Sequence, residues 1–212
     1  MNTRCAGERL NELLAARGHK PLDDSTARRF EGYLALFLRW NERVNLSGIR
    51  DEEGIISRHL IESIEVARDL PGTIQTLLDY GSGGGLPGIP IALCRPEMAV
   101  TLAESQSKKA AFLQEAVRAL RIRASVYGER AEKLGTDFDC VILRAVDRMP
   151  RAVATAARLV RPKAWLALMT TDAELEGLHA AAGSDFNWAD TIRLSGSESR
   201  VLSLGQRVNS PT

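Results

Sequence analysis

The run Leu77-Leu78-Asp79-Tyr80-Gly81-Ser82-Gly83-Gly84-Gly85-Leu86-Pro87-Gly88-Ile89-Pro90 constrains this chain more than any other stretch, because it sets an apolar pair, an acid and five glycines side by side. It predicts a strand over 76–80, a tight loop, and a helix over about 88–94. Glycine suits backbone that takes positive φ or that a ligand must approach closely, and Pro87 or Pro90 fits the first turn of a helix. A loop of this composition cradles a nucleotide-like ligand.

Two spacings share these residues. Gly83, Gly85 and Gly88 match the GxGxxG of dinucleotide binders, whereas Asp79, Gly81, Gly83 and Gly85 match the acidic-x-GxGxG of methyltransferases. A dinucleotide loop usually opens its domain and offers a helix N-terminus to a pyrophosphate. Here three helical patterns come first. One covers 6–17; a second runs from the caps Asp23, Asp24 and Ser25 to a close at Asn45 and Gly48; a third starts near Asp51 and ends before Pro71-Gly72. The order favours the methyltransferase spacing. These helices cannot make a convincing core alone and are expected to pack on the region after residue 72.

From Leu77 onward short apolar runs alternate with helical segments, which predicts an α/β fold with βαβ units and a mainly parallel sheet. Seven strands are expected, at 76–80, 99–104, 123–127, 138–143, 163–169, about 186–194 and 199–205. The helices between them fall at about 88–94, 107–120, 150–159 and 172–181. The chain divides accordingly into a helical extension over 1–72, a ligand-binding core over 73–206 and a polar tail over 207–212.

The 28 Lys and Arg against 27 Asp and Glu give a formal net charge of +1, so any contact with nucleic acid rests on local clusters of cations. Arg28, Arg29, Arg39, Arg43, Arg50 and Arg58 form one such set, and Lys108, Lys109, Arg118, Arg121 and Arg123 another. Cys5, Cys94 and Cys140 are scattered, without a CxxC or Cys/His grouping, so neither a disulfide framework nor a metal site is expected. The leucines of the first twenty or so residues are interrupted by Arg4, Glu8, Arg9 and Glu12, and no long apolar run occurs, so a cytoplasmic protein without membrane spans is expected.

In an open α/β sheet the ligand lies beyond the carboxyl ends of the strands. Glu104, after the second strand, is placed to accept both ribose hydroxyls, or alternatively to sit favourably at the dipole of the helix from 107. Gly128-Glu129-Arg130-Ala131-Glu132 is either a turn at the height of an adenine or a solvated turn. Arg144, after the fourth strand, is suited to a carboxylate or phosphate, or to an ion pair with Asp147, Asp79 or Glu104. Trp40 reads as core, Asn45 as a helix end, and His59 as a hydrogen-bonding group rather than a catalyst.

Taken together, Leu78 to Pro90 with its GxGxGLPGIP run, Trp40-Asn41 with Asn45-Leu46, Arg58-His59 with Ser63, Arg130-Ala131-Glu132 and Arg144-Ala145 resemble the bacterial 16S ribosomal RNA guanine-N7 methyltransferases, the glucose-inhibited division protein B family. The resemblance runs from about residue 5 to 205. It implies a Rossmann-like class I methyltransferase with an N-terminal helical extension. It further implies that S-adenosyl-L-methionine is used on one guanine of 16S RNA, position 527 in the usual RNA numbering, with the RNA or the small ribosomal subunit as partner and no obligate protein partner. Family cofactor positions fall on Gly81, Leu86, Ala131, Glu132 and Arg144; Gly83 belongs to the same loop, and Glu104 holds the ribose position. Glu62 and Glu104 stand where the family often has aspartate, and Met169 where it often has lysine.

Guanine N7 carries a free lone pair, so direct in-line transfer needs no general base, which agrees with the lack of any nucleophile-base or metal constellation. Arg58, His59, Lys108 and Arg130 are the candidates for the RNA side. Rival readings are a small-molecule methyltransferase of the same fold, a non-catalytic ribosome-assembly module and a nicotinamide dehydrogenase.

Overall fold

The computed structural model describes residues 5–195 and 197–208. Two amphipathic helices lead. α1 (Ala6–Ala16) buries Leu10 and Leu14, and α2 (Asp24–Asn41) starts where the Asp23 carboxylate accepts from the amides of Ser25 and Thr26 at 2.9 and 3.0 Å. α2 ends at Asn41, earlier than the expected close at Asn45 and Gly48. The Asn41 side chain is the reason: its oxygen accepts from Leu46 N and Ser47 N, both at 2.9 Å, and its amide donates to Ile49 O, so the loop folds around it. The third helical stretch starts as α3 (Glu52–Gly54), passes through a π-helical turn (Ile55–Leu60) and continues as α4 (Ile61–Asp69).

The sheet is built from β1 (Thr76–Tyr80), β2 (Ala99–Ala103), β3 (Ala124–Tyr127), β4 (Phe138–Arg144), β5 (Val160–Thr171), β6 (Phe186–Trp188), β7 (Ile192–Arg193) and β8 (Arg200–Arg207). Its order is β3-β2-β1-β4-β5-β8-β6, with β7 also on β8. The pairs from β3 to β5 are parallel, and β8 runs antiparallel to β5, β6 and β7. α5 (Gly88–Cys94), α6 (Ser107–Leu120), α7 (Met149–Ala156) and α8 (Leu175–Ala182) make the crossovers.

Among the described residues there are eight strands, where the sequence predicts seven. The segment expected as one strand over 186–194 is split, because four steps from Trp188 to Ile192 face three from Gly205 to Leu202, and the extra residue forces a bulge. β8 also extends through Arg207, so the expected polar tail is shorter at its start, and 209–212 lie outside the described residues.

One apolar cluster joins the leading helices to the sheet: Leu10, Phe30, Phe37, Leu60 and Ile64 share it with Leu77, Ile89, Leu102 and Phe112. A second, on the other face, packs Val153, Ala156 and Leu178 on Leu78, Val141 and Leu166. The chain leaves β1 toward β2 and β3 and returns to β4 on β1's other side, so strand order reverses between β1 and β4. A crevice opens beyond their carboxyl ends.

Candidate active site

The crevice is a cleft of about 1130 Å³, lined among others by Gly81, Gly83 and Leu86, by Glu104, by Arg130 to Glu132, and by Arg144 to Arg148. The loop after β1 owes its course to glycine. Gly81, Gly83 and Gly85 have φ of +75°, +54° and +79°, in the left-handed region. Asp79, 1% exposed, accepts from Gly88 N at 3.0 Å and so ties the end of β1 to the start of α5; burial pushes its carboxyl up to about 7. The helix begins at Gly88, which places Pro90 within its first turn.

The leading helices reach this loop directly. The fully buried Tyr33 of α2 donates from its hydroxyl to Gly84 O at 2.6 Å, and Phe37 packs so closely that a Cβ on Gly84 would stand 2.6 Å from its ring. Glu104, 7% exposed, crosses from β2 and accepts from Gly83 N at 3.0 Å and Gln106 N at 2.7 Å. Each of its oxygens thereby spends one lone-pair site on the backbone and keeps one for a ligand donor.

On the opposite wall stands a buried polar cluster. Glu62 of α4, 2% exposed, accepts from Arg144 at 2.9 Å and from Arg200 at 2.8 and 3.0 Å. Burial raises the Glu62 carboxyl and lowers the Arg144 guanidinium from their ordinary values, and each partner's charge opposes the other's shift. Arg144 also donates to His59 Nδ1 at 2.9 Å. Arginine only donates, so Nδ1 is the acceptor and His59 Nε2 carries the hydrogen, which it gives to Ser47 Oγ at 2.8 Å. His59 sits in the π-helical turn, where Ser63 Oγ donates to its carbonyl at 2.7 Å. Arg144's Nε and Nη1 have no partner among the described residues and remain available to the cleft.

Burial and the facing charges of Arg144, Arg200 and Arg58 lower the His59 pKa to about 3. A depressed folded-state value means that protonation favours the unfolded chain. His59 therefore contributes stability that is complete above its ordinary value near 6.5 and is lost as pH falls toward about 3. NMR of the imidazole nitrogens should show a neutral ring, protonated on Nε2, down to pH 5; a midpoint near pH 6.5 would contradict the assigned bonds.

Residues 26–189 match the family model GidB, described as rRNA small subunit methyltransferase G. The chain belongs to this family. The protein named ribosomal RNA small subunit methyltransferase G from Xanthomonas oryzae pv. oryzae is 41% identical over 151 residues, 70% of each chain. That of the same name from Neisseria meningitidis serogroup A is 38% identical over 164 residues, 76% of this chain and 78% of that one. Among solved structures, a SAM dependent methyltransferase from Aquifex aeolicus superposes with a TM-score of 0.59 at 15% identity, over 74% of this chain and 94% of that one. The class I methyltransferase fold expected from the sequence is therefore the fold of this GidB-family chain.

The structure gathers most of the expected positions into the one cleft: Gly81, Gly83, Leu86, Glu104, Arg130, Ala131, Glu132, Arg144 and His59 all line it. Lys108 does not, since its neighbour Lys109 faces the cleft instead, and Arg58 is exposed outside the lining. His59 offers no cation, both ring nitrogens being engaged within the protein. Arg144 pairs with Glu62 rather than with Asp147, Asp79 or Glu104, because α4 rather than the glycine loop packs against its guanidinium. Met169 is 5% exposed and lines the cleft without a charge. Tyr33, Ser47 and Arg200 escape sequence reasoning, because each meets the site through tertiary contact alone. Ala145 and Arg148, at φ of +50° and +51°, add a pair of non-glycine left-handed residues on the rim.

Proposed function

We propose that this chain transfers a methyl group from S-adenosyl-L-methionine to N7 of one guanine in 16S ribosomal RNA. The observation that carries the reading is the convergence of the glycine loop, Glu104 and Arg144 in one cleft of a GidB-family chain. The cofactor, when bound, supplies a methyl group on a sulfonium centre. The residues fit it. Gly81 and Gly83 leave the loop backbone bare, Glu104 keeps acceptor sites for ribose hydroxyls, and the free donors of Arg144 suit a carboxylate. Leu86, Ala131 and Glu132 border the remaining wall.

At about 1130 Å³ the cleft exceeds the usual range of roughly 300 to 1000 Å³ for small-molecule sites, which leaves room for a second reactant. Guanine N7 sheds no proton on becoming a nucleophile, so a base is not required. The cleft agrees with that chemistry: His59 has its basic nitrogen occupied and Glu62 is neutralised by two guanidiniums. The protein's task is orientation and exclusion of water. Lys109, Arg130, Arg148 and Arg151 line the cleft with no ion pair among the described residues, and they are suited to RNA phosphates. Since N7 is sunk in the deep groove of A-form RNA, the target is a loop or an unstacked base. In this reading region 73–206 holds the cofactor, region 1–72 braces the loop through Tyr33, and the protein works in the cytoplasm on the RNA or the small subunit.

The test is transfer of tritiated methyl groups to small ribosomal subunits that lack the modification, with the labelled base then mapped. Label on a guanine N7 of 16S RNA is expected. Label that enters a metabolite instead would indicate a small-molecule methyltransferase, and cofactor binding without any transfer would indicate an assembly module.

A further inference from the structure

Beside the cleft lies a second, smaller hollow of about 280 Å³, lined by Arg39, Trp40, Arg43, Val44 and Lys108. Its wall is fixed. Trp40 Nε1 donates to one oxygen of Glu115 at 3.0 Å while Arg39 donates to the other, and the indole meets the fully buried Phe112 edge-on at 5.8 Å between centroids. An indole held at its nitrogen and its edge is a preordered platform that has little side-chain freedom left to lose on stacking. Glu115 consumes the charge of Arg39. Arg43 and Lys108 are exposed and have no ion pair among the described residues.

An apolar floor of Trp40 and Val44 with two unpaired cations beside it complements a flat base that carries a phosphate. Successive bases stack on aromatic side chains in this way when proteins hold single strands. The hollow also adjoins the cleft along the chain. Val44 leads into Leu46 and Ser47, Lys108 precedes Lys109, and those three neighbours all line the cleft. An RNA strand whose target base enters the cleft thus passes this shoulder.

We propose that the hollow of Trp40, Val44, Arg43 and Lys108 binds one unstacked nucleotide of the RNA substrate, its base on Trp40 and its phosphate between Arg43 and Lys108. The proposal rests on the RNA methylation reading above and adds a docking site outside the cleft. It gives a role to Lys108, which the turn of α6 directs away from the cleft that Lys109 lines.

The experiment measures methyl transfer to protein-free 16S RNA and to unmodified small subunits over a range of salt, with cofactor affinity by calorimetry as the control. The double variant Arg43→Ala with Lys108→Ala is expected to raise KM for both substrates about tenfold. It should also flatten the slope of log KM against log salt by about 1 to 1.5, with cofactor affinity retained. Trp40→Leu is expected to raise KM by a similar factor and Trp40→Phe to restore most of it; because the indole also packs on Phe112, the surface double variant decides if Trp40→Leu fails to fold. Unchanged KM and slope in the double variant, with wild-type transfer intact, would overturn the hollow alone. An effect confined to assembled subunits would overturn it in favour of a ribosomal protein as the occupant. Wild-type protein that binds cofactor but methylates neither substrate would refute the underlying function instead.

Discussion

Glu62→Ala is expected to lower the free energy of unfolding by about 3 kcal/mol, near the bottom of the roughly 3 to 5 kcal/mol lost when one partner of a buried ion pair is removed. Among the described residues this carboxylate is the one ion-pair partner of both guanidiniums, and its loss leaves two like charges facing each other. Their fates differ. The Arg200 side chain is 31% exposed and can turn to water, whereas that of Arg144 is 10% exposed and cannot. The cost therefore falls mainly on Arg144, which also loses its aim into the cleft, so weaker cofactor binding should accompany the lost stability. Glu62→Asp keeps the charge and should be milder on both counts. Urea denaturation checks the first effect and calorimetry the second; a loss under about 1 kcal/mol in the alanine variant would mean that the cluster is already hydrated.

Gly85→Ala is expected to cost about 2 to 5 kcal/mol, from two independent sources. A left-handed residue with a Cβ costs about 1 to 2 kcal/mol, and Gly85 has φ of +79°. The new Cβ would also stand 2.4 Å from Ile89 Cδ1 and 3.1 Å from Leu113 Cδ2. Ile89 and Leu113 are fully buried, so crowding adds about 1 to 3 kcal/mol. Gly83→Ala separates the two sources: φ is +54°, but the nearest atom to the new Cβ is 3.9 Å away, so the strain cost alone of about 1 to 2 kcal/mol applies. If denaturation midpoints showed equal losses for the two variants, the packing of the loop against α5 and α6 would be wrong. In cofactor titrations Gly85→Ala should weaken binding more than tenfold, because Ile89 and Leu113 are fully buried and the loop, whose Gly83, Gly84 and Leu86 line the cleft, is the part left to shift.

Legibility in the sequence tracks physical range. The glycine loop, the start of α5 at Gly88 and the bounds of α6 at Ser107 and Leu120 are local matters of glycine, proline and apolar spacing, and the structure places them where the sequence does. Glu104 was legible because strand topology sets the position of the residue just after β2. The partner of Arg144 was not, since Glu62 lies 82 positions away on a helix whose docking no local pattern encodes. Arg200 and Tyr33 were hidden for the same reason. The end of α2 escaped because the Asn41 side chain, rather than a glycine, turns the chain. The split of the β6–β7 segment depends on one extra residue opposite β8, which alternation of apolar residues does not reveal.

The proposed chemistry requires that the cleft beyond β1, β2 and β4 take S-adenosyl-L-methionine. Isothermal titration of the wild-type protein tests this directly, with Glu104→Ala beside it. One saturable site for S-adenosyl-L-methionine is expected, at least tenfold weaker in the variant, and no heat with a nicotinamide dinucleotide. A wild-type chain that stays folded but binds the dinucleotide, or binds neither ligand, would contradict it.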